Sequence, residues 1–305
     1  MKNIQSKKAF SMIELILVMV VLGIVASMGA TIIAQVYGNY IIQKGIHNSS
    51  TKVELVSSII YNYLSQRIAS TTVGRDVNNA TNILHVNDIT NPDNFEVLEW
   101  YGMAVESFGA NGTDNRPAWS GVCDIQSPQT TGGSIDTPGS NLALLSTIAS
   151  NLSEGGVDDM ALIFSSRTFS STLAYNVACM GYSNSNCIAG IKGVDSANSV
   201  LLLDQNYTMR IHEQYQLTQS AYALVPVKQA DDGRGRKLYQ LNLRYNYQPW
   251  NGESYTNAPS KVLLDNVSVF RFSGAGDTIR LKICVDERIG EKEYISICKE
   301  KAVIR

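Results

Sequence analysis

Histidine is scarce in this chain, and the patterns that usually carry chemistry are missing. Three histidines occur in 305 residues, His47, His85 and His212. His47 follows Lys44 on a helical stretch, His85 lies in a polar loop, and His212 stands beside Glu213 in an apolar run, so each reads as structural or exposed. There is no G-x-S-x-G, no H-E-x-x-H, no Walker loop and no dinucleotide fingerprint. Adjacent acids such as Asp158-Asp159 and Asp231-Asp232 read as solvated turns. No basic stripe exists; the one cluster, Arg234-Gly235-Arg236-Lys237, follows Asp231-Asp232-Gly233 in a turn, so no nucleic acid is expected. Five cysteines include no C-x-x-C pair and have no nearby histidine, which argues against a metal site. The Asn/Asp-rich loop at 111–115 has oxygen ligands of the kind calcium takes, but not the spacing of an EF-hand, and it stays unassigned. No cofactor is implied, no internal repeat is present, and the chain does not read as an enzyme.

The sharpest absence is of charge. From Leu15 to Gln43 there is no Asp, Glu, Lys or Arg. The most hydrophobic part, 15–36, spans about 33 Å as a helix at about 1.5 Å per residue. A hydrocarbon core is about 30 Å thick, so this segment is long enough to cross a membrane once. Lys2, Lys7 and Lys8 precede it and Lys44 is the first cation after it. The positive-inside bias then predicts a cytoplasmic N-terminus and an external bulk. Glu14 sits at the edge of this run. A carboxylate deep in a bilayer costs about 2.5–3.5 kcal/mol on insertion scales, so Glu14 needs a partner or a shallow depth, with snorkelling as the simplest solution.

An ordinary secretory signal peptide also has a basic start and an apolar run. It would need a small-x-small site near its end, and Ala26-Ser27-Met28 or Met28-Gly29-Ala30 fit poorly. The run is also too long, and Glu14 is misplaced. Instead, Lys7-Lys8-Ala9-Phe10-Ser11-Met12-Ile13-Glu14-Leu15 resembles the cleavage site of type IV prepilins and pseudopilins. The resemblance implies cutting between Ala9 and Phe10 by a prepilin peptidase/methyltransferase, methylation of Phe10, and Glu14 as the fifth mature residue. In that family the buried Glu pairs with the N-terminal amine of a neighbouring subunit, a device that penalises wrong stagger. Ala9 replaces the commoner Gly, and Thr31 stands where many major pilins carry a kinking Pro. Removing 1–9 would leave 296 residues with 22 basic and 27 acidic side chains.

Downstream, Val53, Val56, Ile59, Ile60, Tyr63, Leu64 and Ile68 recur at spacings of three and four, which predicts one apolar helical face. The expectation is a single helix over 10–70, apolar all round in its first half and amphipathic in its second. Gly23, Gly29, Gly38 and Gly45 weaken it by about 1 kcal/mol each relative to Ala, while Gly23 with Ser27 and Ala26 with Ala30 make small-xxx-small pairs. Residues 74–94 read as loop, 95–105 as strand, 106–140 as irregular and 142–152 as a short helix. Apolar runs at 160–164, 173–179, 200–203, 207–212, 222–227, 238–247, 279–285 and 294–297 predict antiparallel strands.

The fold class is therefore α+β: a long N-terminal helix packed on an antiparallel β-rich head over 71–305, which is the pilin architecture. Export permits disulfides. Cys284 and Cys298 suit facing strands of a hairpin, and Cys179 and Cys187 flank an Asn/Ser-rich loop; these are the two bridges expected, leaving Cys123 unpaired. The segments Val262-Leu263-Leu264-Asp265-Asn266-Val267, Phe270-Arg271-Phe272 and Ile279-Arg280-Leu281-Lys282-Ile283 resemble the tail of J-type pseudopilins or W-type minor pilins. Together with the chain's size, this implies a minor, priming or tip subunit of a type IV pilus or type II secretion pseudopilus. Implied partners are other pilins or pseudopilins, the prepilin peptidase, an inner-membrane assembly platform, and membrane lipid before assembly. The implied location is the bacterial inner membrane with a periplasmic head, then a filament. A membrane-anchored binding protein or adhesin that never polymerises is the competing reading.

Overall fold

The computed structural model describes residues 11–77, 79, 82–164, 188–204, 211–229, 236–289 and 293–304. Its first element is α1, Met12–Ser65, a continuous helix of 54 residues. Ser11 starts it as an extended N-cap. The Glu14 amide donates to Ser11 Oγ at 3.4 Å, and the Ser11 amide donates to Glu14 Oε2 at 2.9 Å. This reciprocal capping box satisfies two amides that the first turn would otherwise leave open. The helix runs unbroken through Thr31, whose hydroxyl donates to the Ser27 carbonyl at 3.0 Å.

α1 stops short of the expected residue 70 because the sheet competes for its backbone. The Ile68 amide donates to the Tyr101 carbonyl at 2.8 Å, and the Met103 amide donates to the Gln66 carbonyl at 2.8 Å. Arg67 is buried and staples the turn: its guanidinium donates to the carbonyls of Leu64 at 2.8 Å and Asp277 at 2.6 Å. Ile68 is buried as its spacing predicts, but from the turn rather than the helix.

The strands are β1 (Val73–Arg75), β2 (Ile83–His85), β3 (Val97–Met103), β4 (Ser134–Asp136), β5 (Ala161–Phe164), β6 (Ala189–Asp195), β7 (Val200–Leu203), β8 (Tyr215–Lys228), β9 (Tyr239–Tyr247), β10 (Ser260–Ala275), β11 (Thr278–Ile289) and β12 (Glu293–Ile304). Helices α2 (Val105–Phe108) and α3 (Leu142–Leu152) lie between β3 and β5. Every strand pairing is antiparallel, in the order β12-β11-β10-β9-β8-β5-β6-β7-β4. Thr218 of β8 pairs with Met103 of β3 and with Ala161 of β5, so these two lie on opposite edges of β8; β1 and β2 extend the β3 side. Gly276, at φ 59°, supplies the positive φ that the two-residue turn between β10 and β11 requires.

The fold class is thus the expected α+β arrangement. Helix 142–152 and the strands near 160, 200, 222, 238, 279 and 294 form where the apolar runs place them. Other regions differ. The polar stretch 74–94 contributes β1 and β2, the stretch 106–140 read as irregular contributes β4, strands β6 and β10 form outside the predicted runs, and the described part of 207–212 is not strand. The run at 173–179 lies outside the described residues.

Three apolar clusters hold the head. The first packs Val53, Val56, Ile60 and Leu64 of α1 against Trp100, Phe270, Phe272, Leu281, Ile283 and Val303. The second gathers Leu142 and Leu145 of α3 with Trp119, Leu162, Leu201 and Tyr215. The third, around Ile68, Val97, Tyr101, Ile163 and Tyr247, lies next to a buried Arg75–Glu99 ion pair, whose carboxylate also accepts the Tyr247 hydroxyl at 2.7 Å.

Candidate functional site

The first half of α1 has no protein cover. From Met12 to Ile41 its large apolar side chains are exposed, and the first fully buried residue is Ser49. At about 1.5 Å per residue the stretch from Met12 to Asn48 is about 55 Å long, so it includes all of the uncharged segment. An exposed apolar surface of this extent marks a membrane or an interaction surface rather than ordinary solvent-facing helix. α1 is long and apolar enough to cross a membrane. The hydroxyls of Ser27 and Thr31 are already used inside the helix: Ser27 Oγ donates to the Ile24 carbonyl at 2.9 Å and Thr31 to the Ser27 carbonyl at 3.0 Å, so neither enters lipid or a helix bundle unsatisfied.

Glu14 is the only acid in this segment. Besides its capping bond, Glu14 Oε2 accepts from the Ser11 hydroxyl at 3.0 Å. Ser11 is therefore its partner in the isolated chain. Ala9 and Phe10 lie outside the described residues.

Where α1 meets the head, polar contacts set its direction. Ser49 Oγ donates to Glu287 Oε2 at 3.0 Å. Lys299 and Lys301 of β12 approach Glu54 at 3.5 and 3.6 Å, and Lys301 also donates to Ser58 Oγ at 3.0 Å. The solvent-facing ion pairs at Glu54 contribute about 0–1 kcal/mol each and orient more than they hold. Burial of Val53, Val56, Ile60 and Leu64 does the holding. Ile59 and Tyr63 of the same predicted face are only partly covered.

The family described as the prokaryotic N-terminal methylation motif matches residues 4–30. This match supports a precursor of the type IV pilin and pseudopilin type. The pilin motif implies processing by a prepilin peptidase and assembly with other pilins. The family is structural rather than enzymatic. No curated protein and no solved structure matches the chain. The matched segment takes in the Glu14 capping box and α1 as far as residue 30, within its uncovered apolar stretch, and this apolar helix together with the motif points to membrane anchoring.

The remaining residues singled out in the sequence do not converge. Cys284 and Cys298 are register partners in the β11–β12 hairpin and are joined by a disulfide. Cys123 is a buried free thiol, and burial pushes its pKa up. Cys179 and Cys187 lie outside the described residues. His47 is exposed on α1. His85 Nδ1 accepts from the Asn87 amide and its Nε2 faces the Ala69 carbonyl, both at 3.3 Å. His212 rests near Phe164, 6.5 Å between ring centres. Among the described residues no cluster of three or more His, Cys, Asp or Glu is placed to hold a metal ion. At the 111–115 loop, Asp114 is already engaged: it accepts from Arg116 at 2.5 Å and from Asn141 at 3.2 Å, and the Arg116 guanidinium holds its carboxyl below the usual range.

Proposed function

We propose that this protein is a structural subunit, in a minor, priming or tip position, of a type IV pilus or a type II secretion pseudopilus. It performs no covalent chemistry, and its work is assembly. The observation that carries this reading is the uncovered apolar half of α1, closed at its start by one acid. The peptidase cuts between Ala9 and Phe10 and the new amine of Phe10 is methylated. Before assembly the helix crosses the inner membrane with its N-terminus cytoplasmic and its head periplasmic. It then leaves lipid for a bundle of like helices, where Glu14 exchanges Ser11 for the amine of a neighbouring subunit. A buried carboxylate left without that amine is costly, so the pair selects one stagger. The minor position is supported by the size of the head and by the likeness of its C-terminal strands to J-type and W-type subunits. A Cys179–Cys187 bridge completes this reading of an exported head.

The test is N-terminal peptide mass spectrometry of the protein from native membranes. A chain starting at methylated Phe10 is expected. An uncut N-terminus leaves a simple anchor, as for an adhesin that never polymerises, and a start near residue 30 means an ordinary signal peptide. Glu14→Ala should insert in the membrane normally yet fail to join filaments; normal incorporation would sink the pairing mechanism.

A further inference from the structure

A cavity of about 200 Å³ lies where the last turns of α1 meet α2 and the β8–β9 pair. Its lining includes Tyr63, Tyr222, Tyr245, Met103, Glu106 and Asn246, and among the described residues no Lys, Arg or His lines it. The aromatic rings are held in place. Tyr222 stacks on Trp100, its register partner across β3 and β8, with centres 6.0 Å apart and an interplanar angle of 23°. Tyr63 meets the same ring at 5.2 Å and 54°. Gly102 makes room for it, since a Cβ there would stand 2.6 Å from Tyr222 Cε2. On the far wall the β8–β9 register shifts after Ala221, and Asn246 takes a φ of 53° while its amide donates to Ser220 Oγ at 2.9 Å. Such bulges re-aim side chains and recur beside functional sites.

The charge of this cavity is one-sided. Glu106 is exposed and makes no hydrogen bond or ion pair with another described residue. Burial, with the neighbouring Tyr63 and Glu106, pushes the Tyr222 hydroxyl up to about 12. A lone carboxylate beside three ring faces attracts a cation.

We propose that this cavity binds the guanidinium head of an arginine side chain from a neighbouring subunit. That the occupant comes from a subunit rests on the assembly reading above; the cationic chemistry does not. The volume is below the roughly 300–1,000 Å³ of small-molecule sites and suits one head group. A lipid headgroup of the anchoring membrane is out of reach, because Tyr63 lies about 40 Å along α1 beyond Val36, at about 1.5 Å per residue. The headgroup region adds only about 5–8 Å to each side of the hydrocarbon core. Guanidinium is favoured over ammonium because it is flat, stacks on rings and forks onto a carboxylate.

The test uses the full chain in nonionic micelles, labelled with 3-fluorotyrosine and titrated with N-acetyl-arginine amide. Saturable fluorine shifts at Tyr63 and Tyr222 are expected, with no such shifts from the neutral citrulline analogue. Glu106→Gln should weaken binding about tenfold, and Tyr245→Leu about fivefold. Both positions are solvent-exposed, so far-ultraviolet circular dichroism and the urea unfolding midpoint should stay unchanged. No saturation, equal response to citrulline, or indifference to both substitutions overturns the cationic site without touching filament assembly. Tighter binding of tetramethylammonium than of the arginine probe overturns the guanidinium assignment. In assembled fibres, a photo-crosslinker at Tyr245 should join an arginine-bearing peptide of another pilin; crosslinks to lipid alone, or none, overturn the occupant.

Discussion

Ile60 and Leu55 stand little more than one turn apart on α1, yet only one of them should matter to stability. Ile60 is 1% exposed within the core that joins α1 to the sheet, whereas Leu55 is 62% exposed. Truncating a buried Ile to Ala costs about 2–5 kcal/mol through lost transfer energy and the cavity left behind. The better helix propensity of Ala returns less than about 0.7 kcal/mol. The packing here joins a rigid helix to a sheet, with little room to collapse, so Ile60→Ala should cost about 3 kcal/mol. Leu55→Ala removes no buried contact and should stay within about 0.5 kcal/mol. The assay is urea unfolding of the full chain in nonionic micelles, followed by the emission of Trp100, which is fully buried in the same cluster. Equal shifts of the two midpoints, or a larger shift for Leu55→Ala, would refute the docking face assigned to α1. Because the second half of α1 carries the head, undocking at Ile60 would also leave the head tethered rather than mounted.

Three further outcomes follow from the buried polar groups and the disulfide. Glu99→Gln keeps the shape of the Arg75–Glu99–Tyr247 cluster but removes the charge opposite a guanidinium that is 4% exposed. It should cost about 3–5 kcal/mol in the same urea assay, and a loss under 1 kcal/mol would contradict the pairing. Reducing Cys284–Cys298, which are 14 residues apart, frees the unfolded chain and should lower stability by about 3 kcal/mol; unchanged unfolding with and without reductant would argue against the bridge. Burial pushes the Tyr222 hydroxyl from its ordinary 10 up to about 12. The folded state holds this proton more tightly, so its contribution is complete below pH 10 and is lost as pH rises from 10 towards 12. In a spectrophotometric titration Tyr222→Phe should remove one tyrosinate equivalent from the part of the curve above pH 10; loss of that equivalent near pH 10 would contradict its burial.

Much of this protein was legible in local pattern. The uncharged run at 15–43 and the three-and-four periodicity from Val53 each act within a few turns of one helix, where neighbours in sequence are neighbours in space. They determined α1 and the face that docks. The alternation around 238–247 is equally local, and Cys284 and Cys298 lie only 14 residues apart on paired strands of the last hairpin. Tertiary structure decided the rest. The end of α1 at Ser65 depends on carbonyls and amides of β3, more than thirty residues away. β1 arises in a polar stretch because β3 offers it a ladder, and β2 because β1 then offers one, not because of their own composition. Arg75 and Glu99 stand 24 residues apart and meet only when folding buries them against Tyr247. The tyrosine cavity draws its walls from α1, α2, β8 and β9. No window of sequence contains those contacts, since each exists only once separate elements share one core.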